Sequence, residues 1–201
     1  MDLREMLNNA SKFHGHICPG LAIGVVASKI ALESAKRAED EELVAIVEND
    51  ACGVDGIQVL TGCTYGKGNL IHLDYGKSVY TFYNRNTHRA VRLSLKPDLF
   101  SVDSEQNKHR KELFDKVRDS SATQDERMEH ENLREERISS ILSSGEAIFE
   151  IQEVEITPPE KARIFNDILC DSCGEPVMSS RIVQKDGKKL CIPCSKKHLA
   201  K

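Results

Sequence analysis

Cys170, Cys173, Cys191 and Cys194 form two C-x-x-C pairs separated by 17 residues. That spacing is the spacing of a four-cysteine zinc site. A tetrahedral zinc ion takes four thiolates, and each C-x-x-C knuckle delivers two of them from one tight turn. Gly174 follows the first pair, where the chain must bend, and Pro193 sits inside the second. A redox dithiol is the competing use of such a pair, but two correctly spaced pairs favour a metal. With four ligands and no open position, the site reads as structural.

A second group of reactive side chains lies at the other end, in Phe13-His14-Gly15-His16-Ile17-Cys18-Pro19-Gly20. Two imidazoles and a thiol are good ligands for zinc and similar metals. In an extended loop, positions 14, 16 and 18 point the same way. Pro19 suits the first position of a helix, which makes Cys18 its N-cap, where amide groups and the helix dipole favour a thiolate. Cys18 is therefore a candidate ligand or nucleophile. The segment 50–69 adds Asp50, Cys52, Asp55, Cys63, Lys67 and five glycines. Gly62, Thr64, Gly66 and Lys67 are its candidate ligand-binding positions: glycines let a loop approach a ligand, and Lys67 neutralises an anion. G-x-x-x-G-K-G is not a P-loop, being one residue short and lacking the Ser or Thr. Cys52 reads as a small buried apolar residue, whereas Cys63 is the better ligand. The expectation is an open site of His16, Cys18 and Cys63, with His14 as a support or further ligand. It would hold a second metal for which zinc is suited, with Cys18 and Lys67 as catalytic candidates.

The elements that must position these groups follow from periodicity. Residues 2–13 carry Leu3, Met6, Leu7 and Ala10 at helical spacing, and 19–37 continue as a longer helix. Leu43–Val47 reads as a strand and 54–61 as a helical turn. Leu70–Asp74, Ser78–Tyr83 and His88–Leu95 read as three more strands, with turn residues between them. From Ser104 to Leu142 charges dominate, giving two helices broken near Asp119-Ser120-Ser121, an arm with a solvated face. Its stripe of Leu113, Phe114 and Val117 suits packing on a second copy of the chain. A strand over 147–156 precedes a boundary at Thr157-Pro158-Pro159. Beyond it, a knuckle, a hairpin at Asp186-Gly187 and a ligand pair opening a helix describe a treble clef. The expected division is 1–156, including the arm 104–142, and 166–201.

The chain has 201 residues, 30% charged and 5% aromatic, with a net charge of −4. Residues 157–201 hold nine basic and five acidic side chains, too mild a bias to imply nucleic-acid binding. No apolar run approaches a membrane span, and the N-terminus lacks the pattern of a signal peptide. Setting aside the zinc pairs leaves Cys18, Cys52 and Cys63, an odd number that argues against disulfides and for a reducing cytoplasm.

Residues 13–20 together with Gln58-Val59-Leu60-Thr61-Gly62-Cys63-Thr64-Tyr65-Gly66-Lys67-Gly68-Asn69-Leu70 resemble the FmdE family, named after a component of formylmethanofuran dehydrogenase. The C-terminal segment is similar to the zinc fingers some members carry and to DksA/TraR-type fingers. The resemblance implies an α+β core, a treble-clef appendage and a homodimer. It also implies an accessory role beside a molybdenum or tungsten redox enzyme of one-carbon metabolism. The alternative is a regulatory zinc-finger protein that binds nucleic acid or a polymerase and senses a metal or metabolite in its core. A steep salt dependence of binding separates the two.

Overall fold

The computed structural model describes residues 2–97 and 105–197. They fall into two units, Met1–Lys161 and Ala162–Lys201. The expected start of the arm at Ser104 and the expected helical residues His198 and Leu199 lie outside the described residues.

Unit 1 is α+β. Helix α1 (Leu3–His14) starts where the Asp2 carboxylate accepts the Glu5 N–H at 2.8 Å, and it buries Met6, Leu7 and Ala10. Helix α2 (Pro19–Ser34) is apolar on every side; all residues from Leu21 to Ser28 are buried. Such a helix is stable only when surrounded. It packs against α1, α3 (Gly53–Thr61) and α5 (Gln124–Ser144).

The sheet contains β1 (Leu43–Val47), β2 (Leu70–His72), β3 (Val79–Asn84), β4 (Arg89–Leu95) and β5 (Phe149–Val154) in the spatial order β2-β1-β3-β4-β5. Only β1 and β2 run parallel, joined through α3; the other pairs are antiparallel. Period-two alternation divides the faces. Ala45, Val47, Phe82 and Leu93 face the helices, while Val44, Tyr83 and Ala90 form a smaller cluster on the other side.

The arm is a helical hairpin of α4 (Glu105–Arg118) and α5. A capping box opens α5: the Thr123 hydroxyl accepts the Glu126 N–H, and the Glu126 carboxylate accepts the Thr123 N–H. The arm is less solvated than its charge suggests. Ile138 and Ile141 lie in the main core beneath α2, and Leu113 is buried too, leaving Phe114 and Met128 exposed.

Unit 2 holds two short hairpins and a helix. The first knuckle joins β6 (Asp167–Leu169) to β7 (Pro176–Met178). Strands β8 (Ile182–Lys185) and β9 (Lys188–Cys191) turn at Asp186-Gly187, both at positive φ as a tight hairpin requires. Helix α6 (Ile192–Lys197) then carries Cys194. Among the described residues, no helix is long and apolar enough to cross a membrane.

Candidate metal centres

In unit 2 the four sulfurs of Cys170, Cys173, Cys191 and Cys194 lie within 4.8 Å of one another. Cys173 Sγ and Cys191 Sγ are 4.0 Å apart. A zinc tetrahedron with Zn–S of about 2.3 Å has an edge of roughly 3.8 Å, so the donor set fits the ion. Backbone amides point at the sulfurs: the Cys191 N–H donates to Cys170 Sγ at 3.3 Å, and the Cys194 N–H to Cys191 Sγ at 3.4 Å. N–H groups of Cys173, Cys191 and Ser172 pull the Cys170 thiol down to about 6. Cys173 goes the other way, up to about 12: the Glu175 N–H lowers it, but burial and the neighbouring sulfurs outweigh that. Four sulfurs this close need a cation to be thiolates together.

In unit 1 the atoms of His14, His16 and Cys18 also lie within 4.8 Å of one another. They do not converge by strand alternation, as a loop would have it. His14 ends α1, and Gly15 reverses the chain at φ 91°, a conformation natural to glycine. The two rings then lie 4.5 Å apart. Cys18 is the N-cap of α2, its sulfur accepting the Leu21 N–H at 3.3 Å, with Pro19 following. His14 Nε2 sits 3.8 Å from Cys18 Sγ. His14 Nδ1 sits 2.7 Å from the Asp55 carboxylate on the first turn of α3. With Nδ1–H donating to Asp55, the Nε2 lone pair faces the cysteine, as in a carboxylate–histidine–metal arrangement.

Close helix packing delivers Asp55. A Cβ on Gly24 would stand 2.0 Å from the Gly53 carbonyl oxygen, so α2 and α3 touch backbone to backbone. The same contact brings Cys52 beside Cys18, where the two thiols interact. Cys52 is thus half-buried at the site, not the isolated core residue its type suggests. The Cys18 thiol is pushed up: burial outweighs the Leu21 N–H, and Cys52 adds to the rise. The helix N-terminus alone does not make Cys18 a thiolate; a cation would.

The glycine-rich loop behaves differently from expectation. Cys63 is fully buried; its S–H donates to the Leu43 carbonyl at 3.3 Å, and it stands outside the His14–His16–Cys18 group. Burial also raises its thiol. Lys67 donates to the carbonyls of Ala38, Glu39 and Asp40, which ties the loop to the segment before β1. Gly62 caps α3 with its N–H on the Gln58 carbonyl, and the Thr64 N–H donates to the Asn69 side chain. Gly66 has open space beside it. The loop serves as a brace. It reaches the site only through Gln58, whose side chain accepts the Tyr65 N–H and donates to Asp55.

Sequence reasoning missed the roles of Asp55 and Cys52. The signal available was G-x-x-x-G in α2 (Gly20, Gly24) opposite Gly53 and Gly56, which marks close helix packing rather than a flexible loop.

A family model described as FmdE, molybdenum formylmethanofuran dehydrogenase operon, matches residues 13–150. A prokaryotic dksA/traR C4-type zinc finger matches residues 163–198. A probable S-adenosyl-L-methionine-binding protein of Archaeoglobus fulgidus is 38% identical over 98% of this chain. The chain spans about half of that protein's length, 54%. The crystal structure of an FmdE-like protein of tungsten formylmethanofuran dehydrogenase from Syntrophus aciditrophicus is similar, with a TM-score of 0.65 and 25% identity. That similarity covers 97% of this chain and 92% of the other.

Proposed function

Because the chain belongs to the FmdE family, we propose that it is a cytoplasmic accessory protein of a molybdenum or tungsten redox enzyme, with a second metal site in its core. The C4 zinc finger makes it a metal-binding protein already. The single observation that carries the core site is the convergence of His14, His16 and Cys18, with Asp55 oriented on His14 Nδ1. Three protein ligands leave a zinc-type ion one position at which to bind and polarise a small ligand. Asp55 fixes the His14 ring, the N-cap amide holds the Cys18 sulfur in place, and the α2–α3 contact keeps both helices fixed. Elemental analysis tests this: two metal equivalents per chain support it, and one equivalent, unchanged in Cys18→Ala, overturns it.

The Asp55–His14–Cys18 chain favours a second reading, in which Cys18 is a nucleophile that gives its proton to His14. Rapid alkylation of Cys18 at neutral pH in a core without metal would support that version. The name of the Archaeoglobus relative supports S-adenosyl-L-methionine as a candidate ligand, tested by calorimetric titration of this chain. The finger's likeness to the dksA/traR type supports the regulatory alternative, for which a steep salt dependence of nucleic-acid binding is the test. Exposed Phe114 and Met128 on the arm support a homodimer, which a monomeric mass by light scattering would refute.

A further inference from the structure

A cavity of about 400 Å³ lies between the start of α2 and the α4–α5 hairpin. His16 and Cys18 form one end, and Leu113, Phe114 and Leu133 supply apolar wall. Arg110 and Arg137 line it as well, with Arg134 exposed.

The two half-buried arginines converge. Arg110 Nη1 and Arg137 Nη1 both point at the same neutral oxygen, Asn107 Oδ1, at 3.4 and 3.5 Å. The Nε of Arg110 is buried and has no hydrogen-bond partner among the described residues. A buried guanidinium donor without an acceptor is costly, and a second guanidinium beside it adds repulsion. Arg137 feels both its surroundings and its neighbour: burial pushes its charged form down, and the charge of Arg110 adds to the effect. An anion in the cavity would satisfy the Arg110 donor and offset the repulsion between the two cations. Lys67, the anion partner suggested by residue type, is occupied elsewhere by three carbonyls.

We propose that this cavity binds a small organic acid, its carboxylate on Arg110 and Arg137, its apolar body against Leu113 and Phe114, and its far end at His16 and Cys18. Arginine's planar fork matches a carboxylate, and the apolar wall selects an organic body over inorganic phosphate. The orientation of the far end rests on the core metal site proposed above; the arginine pair does not. The cavity then aims one end of a substrate at the open position, with the charge held at the other.

Titration of the ¹⁵N-labelled full chain with acetate, butyrate, butyramide and inorganic phosphate, reading the Arg110 Nε–H resonance, tests this. Butyrate should shift the resonance and bind more tightly than acetate or phosphate, and neutral butyramide should not bind. Arg110→Gln should weaken butyrate by roughly tenfold or more. Phe114→Ala, at an exposed rim position, should weaken butyrate but not acetate, which guards against misfolding in the arginine variant. Butyrate no tighter than phosphate or butyramide, or unaffected by Arg110→Gln in a folded protein, overturns the proposal. Cys18→Ala separates the two readings: a second metal without carboxylate binding fails only the cavity, and arginine-dependent binding without a second metal fails only the metal site.

Discussion

His14 Nδ1 and Asp55 Oδ2 lie 2.7 Å apart, although 41 residues separate them in sequence. The imidazole is held by a carboxylate from another helix, and its remaining nitrogen is directed at Cys18. A histidine kept only as a packed surface residue has no need of that orientation; a ligand does.

Asp55→Asn should therefore weaken core metal binding about 10- to 100-fold while leaving the fold and the finger's zinc in place. Chelator competition, followed by the metal retained per chain, checks this.

Gly24→Ala should be among the most damaging small substitutions in unit 1. Its Cβ would stand 2.0 Å from the Gly53 carbonyl, and a backbone atom cannot step aside cheaply. A loss of about 2 kcal/mol or more is expected from overpacking, measured by denaturant unfolding, together with lower core metal content as Asp55 is displaced.

Lys67→Met should leave the metal content unchanged and lower stability by about 1 kcal/mol, because its ammonium binds loop carbonyls rather than a ligand. Cys63→Ala should likewise retain the core metal. Loss of metal in either variant would restore the glycine-rich loop to the site.

Glu126 is held down to about 2 by Lys116, helped by the Thr123 N–H. A carboxylate with a depressed folded pKa contributes stability above its unfolded value, near 4.5, and loses it as pH falls toward 2. Glu126→Gln should thus speed hydrogen exchange at the α4–α5 turn at pH 7, and the difference from the parent should shrink between pH 4.5 and 2.

What the sequence disclosed was local. The C4 spacing carries its chemistry within two turns, so zinc, the knuckles and the hairpin at Asp186-Gly187 were legible from residue types. The α+β class followed from clean alternation in β1 and β3 and from the run Leu21–Ala27. The closeness of His14, His16 and Cys18 was legible too, although a helix end and an αL glycine produce it rather than an extended loop. The places of Asp55 and Cys52 were not legible, because they arrive through a contact between two helices whose glycines also fit a loop. Cys63 was misjudged for a related reason: donor chemistry does not say which way a sulfur points, and this one faces the Leu43 carbonyl. The charge of the arm concealed Ile138 and Ile141, which belong to the core.

A core metal site distinct from the zinc finger stands or falls on a metal count. Elemental analysis of the purified chain, of Cys173→Ser and of Cys18→Ala supplies it. The expected result is two metal equivalents in the parent and one in each variant, with unit 2 becoming protease-sensitive only in Cys173→Ser. One equivalent in the parent, lost in Cys173→Ser and unchanged in Cys18→Ala, would contradict the core site.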